Sequence, residues 1–98
     1  MSPVQLMSDR VVYQVWISGK VQGVGYRYAT QRMAQKLGVT GWVQNLPDGR
    51  VEAMFAGSRA QVEAMIQWCY QGTRESKVEK VEYVPVPDRV FYRFEIRR

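Results

Sequence analysis

Histidine is absent from this 98-residue chain. With it go His-based triads, His general bases, phosphohistidine intermediates and most transition-metal sites. Cysteine occurs once, at Cys69. A lone cysteine makes no internal disulfide, so nothing points to an oxidising compartment, and without histidine it is a poor basis for a zinc site. No zinc or other transition-metal site is expected. No apolar run approaches the roughly 20 residues that span a bilayer. The segment Met1 to Asp9 lacks the apolar stretch of a signal peptide and is expected to be a short mobile leader, residues 1–9, before a single domain over 10–98.

What is present suits one small globule. Hydrophobic residues make up 46% and aromatic residues 12% of the chain, and a chain this short buries roughly 60–70% of its unfolded surface, enough for one modest core. The net charge of +5 favours an anionic partner only weakly, because the basic residues are scattered and only Arg97 and Arg98 adjoin.

Periodicity divides the chain. Val11, Tyr13, Val15 and Ile17 alternate with Gln14 and Ser18, which predicts a strand. Three glycines between Gly19 and Gly25 interrupt it. From Tyr26 the period becomes helical through Ala29, Met33, Ala34 and Leu37, with Gly38 as the stop. A second strand follows at Trp42-Val43, a turn at Leu46-Pro47-Asp48-Gly49, and a third strand through Val51, Ala53 and Phe55. Ser58 and Gln61 have the spacing of a capping box ahead of a second helix, whose buried stripe is Val62, Met65, Ile66 and Cys69. Two further strand-like runs, Val78–Val84 and Phe91–Arg97, are separated by Pro85 and Pro87, with Tyr92, Phe94 and Ile96 alternating against Arg93, Glu95 and Arg97. The order β-α-β-β-α-β implies an α+β, ferredoxin-like sandwich, with an antiparallel four- to five-stranded sheet and both helices on one face.

The chemistry concentrates between Gly19 and Arg27, where a glycine-rich loop joins a strand to a helix N-terminus. Successive backbone N–H groups in such a loop can turn inward around an anion, assisted by the dipole of the helix that follows. Arg27 falls in the first helical turn, placed to grip phosphate oxygens in bidentate fashion. The loop is neither a Walker A sequence nor a GxGxxG fingerprint. On residue types alone it reads equally as an anion nest and as a plain strand-to-helix turn. Asn45, at the end of an apolar strand, reads on its own as a turn residue more readily than as a catalytic one. Cys69, on a buried helical stripe, reads as core, and Trp16 and Trp42 read as packing.

At these two segments the sequence resembles the acylphosphatase family. Ile17-Ser-Gly-Lys-Val-Gln-Gly-Val-Gly-Tyr-Arg27 is similar to the first family signature, Gly-x-Val-Gln-Gly-Val-x-aromatic-Arg. Gly41-Trp-Val-Gln-Asn-Leu-Pro-Asp-Gly-Arg-Val51, with Gly57 beyond it, is similar to the second. The resemblance spans about residues 11 to 97, with one departure: Tyr26 stands where phenylalanine is commoner, adding a hydroxyl beside the loop. It implies metal-free hydrolysis of acyl phosphates to carboxylate and inorganic phosphate. It also implies that Arg27 and the backbone amides of Gln22, Gly23, Val24, Gly25, Tyr26 and Arg27 hold the phosphoryl group, while Asn45 orients the attacking water. Family members are usually cytoplasmic monomers acting on a small molecule, without nucleic acid or membrane as partner. Two other readings share the topology: an RNA-recognition module and a ligand-sensing domain that binds phosphate without turnover. The third strand, Arg50 to Ala56, lacks the aromatic pattern of the first. The presence of both Arg27 and Asn45 argues against the second.

Overall fold

A computed structural model describes residues 9–98. The expected leader lies outside the described residues except for Asp9, whose carbonyl accepts a hydrogen bond from the Arg59 N–H at 3.1 Å. The elements run β1 (Arg10–Lys20), α1 (Tyr26–Leu37), β2 (Thr40–Asn45), β3 (Val51–Ser58), α2 (Arg59–Gln71), β4 (Lys77–Pro85) and β5 (Phe94–Arg97). They form one five-stranded sheet in the order β4-β1-β3-β2-β5. Two βαβ units with short links place β1 and β3 side by side in the centre, as the sequence order requires.

The alternation along β1 decides which face is covered. Val15 and Ile17 are fully buried and join Val43, Ala53 and Phe55 of the neighbouring strands under the helices. Helix α1 contributes Tyr26 and Ala34, and α2 contributes Val62, Met65, Ile66 and Cys69. Each large apolar side chain buried here stabilises the fold by about 1.5–3 kcal/mol. The α2 stripe is the one the sequence predicts. In α1 the fully buried positions are Tyr26, Thr30 and Ala34, with Met33 and Leu37 at the margin. Thr30 is tolerated there because its hydroxyl donates to the Tyr26 carbonyl at 2.7 Å.

Three expectations are corrected. β1 does not end at Ser18; it continues through Gly19 to Lys20, with a register shift against β4 at Ser18/Gly19. The sheet is also not wholly antiparallel, since β5 runs parallel to β2. The cause lies in the crossover from β4 to β5, which passes over the face of the sheet away from the helices. Val86 and Phe91 pack there on Val12, Trp42, Met54 and Ala56. The Val86 N–H donates to the Val12 carbonyl and the Gly41 N–H to the Arg93 carbonyl, both at 3.0 Å. Having crossed from one edge to the other, the chain meets β2 in the same direction. Tyr92 precedes β5 and is 93% exposed, so Phe94 and Ile96 alone carry the inward alternation.

Candidate active site

Helix α1 starts without a cap. Its N-cap residue, Gly25, sits in the left-handed region (φ 75°, ψ 17°), makes no side-chain capping bond, and is followed by no acidic residue in the first turn. Gly23 also has φ 75°. A side chain at either position would be conformationally strained, while an added Cβ would meet no atom within 4 Å. The glycines are therefore required by backbone geometry, and the space above them is open. No carbonyl outside the regular elements and no described side chain accepts from the N–H groups of Gln22 to Arg27. An alternation of left-handed residues ahead of a helix, with unspent donors, is the geometry of an anion nest.

Beside this loop is a pocket of about 260 Å³. Gly23, Gly25, Tyr26, Arg27 and Asn45 line it together. The fold thus brings the two sequence segments into one site, because β1 and β2 flank β3, both antiparallel to it, and finish at the same end of the sheet. The Arg27 guanidinium donates through Nη1 to the Arg97 carbonyl at 3.1 Å. No carboxylate pairs with it among the described residues, which leaves further donors for a ligand. Asn45 Oδ1 is buried and has no described hydrogen-bond partner. A buried acceptor without a donor costs about 1–3 kcal/mol, a cost that a bound water would remove.

Gln22 and Val24 do not line the pocket. The Gln22 side chain turns to the β2–β3 turn, donating to the Leu46 carbonyl at 2.8 Å and the Arg50 carbonyl at 2.9 Å. The Val24 carbonyl accepts from Thr73 Oγ1 at 3.0 Å. The loop is therefore tied on two sides through groups other than its N–H donors.

The Tyr26 hydroxyl is not beside the loop opening, as its position next to Arg27 suggests. It is buried and donates to the Cys69 carbonyl at 2.7 Å, tying the start of α1 to the end of α2. Burial, with Cys69 adding to it, pushes the phenol well above its ordinary range. Burial likewise pushes the Cys69 thiol up to about 12, so it is no nucleophile at neutral pH. The pocket also takes in Ile96 and Arg98 beyond β5, together with Tyr28. Sequence reasoning missed these. Strand alternation identifies β5, but nothing local shows that β5 docks beside β2. Among the described residues no three or more His, Cys, Asp or Glu side chains cluster in a way that could hold a metal, and no helix is long and apolar enough to cross a membrane.

Comparison with known proteins gives the family and the fold. The acylphosphatase family model matches residues 13–96. An acylphosphatase from Synechococcus sp. (strain JA-2-3B'a(2-13)) is 57% identical over 91 residues, covering 93% of this chain and 97% of that protein. One from Acaryochloris marina is 50% identical over 93 residues, covering 95% and 100%. The solved structure of an acylphosphatase from Coxiella burnetii superposes with a TM-score of 0.90 at 31% identity, covering 93% of this chain and 96% of that one. A family match across most of the chain, relatives of about its own length and a shared fold lead to one conclusion: the chain belongs to the acylphosphatase family.

Proposed function

We propose that this chain hydrolyses the carboxyl–phosphate bond of acyl phosphates, giving a carboxylate and inorganic phosphate, with Arg27 and Asn45 as its catalytic residues. The observation that carries this is the convergence on one pocket of an uncapped helix start, an arginine that no described carboxylate pairs with and a buried asparagine oxygen with no described partner. The N–H groups of Gln22 to Arg27 and the Arg27 guanidinium hold the phosphoryl oxygens. Asn45 Oδ1 accepts a hydrogen bond from water and sets it in line with the departing oxygen.

Such a sparse site is chemically sufficient. Phosphoryl transfer depends on positioning and charge stabilisation more than on covalent help. The leaving group is a carboxylate whose conjugate acid has a pKa of about 4–5, judged from side-chain carboxyls, so it departs at neutral pH without a proton donor. A monoester would leave as an alkoxide and would need one. The Asn45 amide stays neutral, so its part is orientation rather than strong base chemistry. The substrate is a small molecule, and the same reading takes the working form to be a cytoplasmic monomer that needs neither metal, cofactor, nucleic acid nor membrane.

The test follows phosphate release from benzoyl or acetyl phosphate in excess chelator, with a phosphate monoester as control. Native turnover of the anhydride alone is expected. Asn45→Ala is expected to lower kcat by about 10²–10³-fold with little change in KM, by analogy with loss of one positioned polar group. Arg27→Ala is expected to damage both. No turnover by a folded native chain would reduce the loop to a phosphate-binding nest, and near-normal kcat in Asn45→Ala would remove its assigned role.

A further inference from the structure

Asn45 raises a problem of placement. Its Oδ1 has no described partner, so where the oxygen points depends on how the end of β2 is held against the phosphate loop. Only one side chain among the described residues hydrogen-bonds from the loop to the β2–β3 hairpin. Gln22 Nε2 donates to the carbonyls of Leu46, at 2.8 Å, and Arg50, at 2.9 Å. Leu46 directly follows Asn45, and Arg50 directly precedes Val51, the residue paired with Asn45 across the ladder. The two accepting carbonyls therefore face each other one step beyond the rung that carries Asn45, on its turn side. The orientation of the amide is chemically determined, because the reverse placement would set Oε1 against two carbonyl oxygens.

The turn does not need Gln22 to close. The Leu46 N–H donates to the Arg50 carbonyl at 2.8 Å and the Gly49 N–H to the Leu46 carbonyl at 3.2 Å. Asp48 accepts from the Arg50 N–H at 3.0 Å and pairs with the Arg50 guanidinium at 2.8 Å. These bonds hold the Asp48 carboxyl below its usual range, the Arg50 backbone bond first among them. A self-sufficient turn that nonetheless receives both N–H groups of one loop side chain is being located, not built.

We propose that Gln22 is a positioning residue: its side-chain amide is the crossbar that fixes the distance and register between the phosphate loop and Asn45. The catalytic part of this inference rests on the hydrolase reading above; the mechanical part does not. Since Gln22 leaves the loop N–H groups untouched, its removal acts on water placement and spares phosphate binding.

The experiment uses Gln22→Met, which keeps length and removes both donors, and Gln22→Glu, which keeps shape and offers only acceptors to the two carbonyls. Both are expected to lose about 10–100-fold in kcat for an acyl phosphate, as positioned groups outside the reacting atoms do. KM and inhibition by inorganic phosphate are expected to stay within about threefold, since only a step after binding is affected. In an Asn45→Ala background Gln22→Met is expected to add less than about threefold, the non-additivity of two residues acting as one unit. A purely structural role would lower thermal stability and add its full effect in both backgrounds. As a second readout, inorganic phosphate titrated into the native chain is expected to shift the backbone NMR signals of the loop and, through the crossbar, those of Leu46 and Arg50. In Gln22→Met the loop signals shift and the other two do not. Native kcat in Gln22→Met, or full additivity with Asn45→Ala, would overturn the proposal. An inactive native chain with the NMR coupling intact would sink the hydrolase reading and support the crossbar.

Discussion

Helices α1 and α2 begin in opposite ways. Helix α2 opens with a closed capping box: the Gln61 N–H donates to Ser58 Oγ at 3.2 Å and the Ser58 N–H to Gln61 Oε1 at 2.9 Å. Helix α1 opens on Gly25, with no side-chain cap and no acidic residue in its first turn. A cap replaced by an alanine costs about 0.5–2 kcal/mol, so a helix left uncapped forgoes stability of that order. The difference teaches where the chain has a use for unspent donors. Local rules of helix design hold at α2, which only has to fold, and are broken at α1, where the orphan N–H groups face a pocket.

Closing the open start is the most severe way to break the contrast. Gly25→Asp adds a carboxylate where the phosphoryl group is to bind, and Gly25→Asn adds the same shape without the charge. Both residues tolerate the left-handed region better than other side chains do, so the backbone cost is shared and charge is the remaining difference. Gly25→Asp is expected to lower kcat/KM for an acyl phosphate by about 100-fold or more, the scale of one lost or opposed charge contact. Stabilisation of the fold by added inorganic phosphate, a linkage effect of ligand bound to the native state, is expected to vanish as well. Gly25→Asn is expected to keep most of that stabilisation. Equal loss in both variants would show that the glycine serves backbone shape alone, and that the open N-terminus attracts no anion.

The same contrast explains what could be read in advance. The α2 start was legible because a capping box is a local code: two side chains three residues apart specify it. The α1 start was legible as a glycine-rich loop, yet residue types could not separate an anion nest from a plain turn. That distinction depends on φ at Gly23 and Gly25 and on which acceptors the loop amides fail to find. Arg27 and Asn45 could be named from motif resemblance, but their meeting requires the β1–β3–β2 order. Tyr26 was misplaced for a related reason. Its position in the sequence puts it beside the loop, whereas its helical phase turns the ring inward to the Cys69 carbonyl. The parallel β5, and with it Ile96 and Arg98 at the pocket, was not legible. A crossover of eight residues over the far face of the sheet leaves no periodic trace.

Tyr26 sharpens the comparison, because it gives the uncapped helix a different anchor. Its hydroxyl satisfies a carbonyl in the last turn of α2, one of the acceptors that a helix end leaves without a partner. Tyr26→Phe keeps the packing against Trp68, whose ring centroid lies 5.4 Å away, and removes only the bond. The loss is expected to be about 1–2 kcal/mol, a hydrogen bond with its buried acceptor left unpaired, read as the midpoint shift in urea unfolding. Turnover is expected to stay within about twofold, since phenylalanine holds the α1 backbone in place by packing. A fall in kcat larger than the fall in stability would mean that the hydroxyl, and not the ring, fixes the angle at which α1 presents its N–H groups.

Ser58→Ala is the complementary and smallest change, made at the start that is already closed. It removes the acceptor for the Gln61 N–H and leaves the reverse bond, so about 1 kcal/mol is expected to be lost. For a domain of this size that corresponds to a fall in Tm of about 4–8 °C by calorimetry. Activity and phosphate binding are expected to be unchanged, because Ser58 lies at the end of β3 remote in sequence and ladder position from the Asn45↔Val51 rung. The two helix starts then separate: stability without function at Ser58, and at Gly25 a charge-dependent loss of function on top of the shared backbone cost. Were Ser58→Ala to weaken phosphate binding as much as Gly25→Asp, the α1 start would not be acting through its own local donors, and the division of labour between the helices would fail.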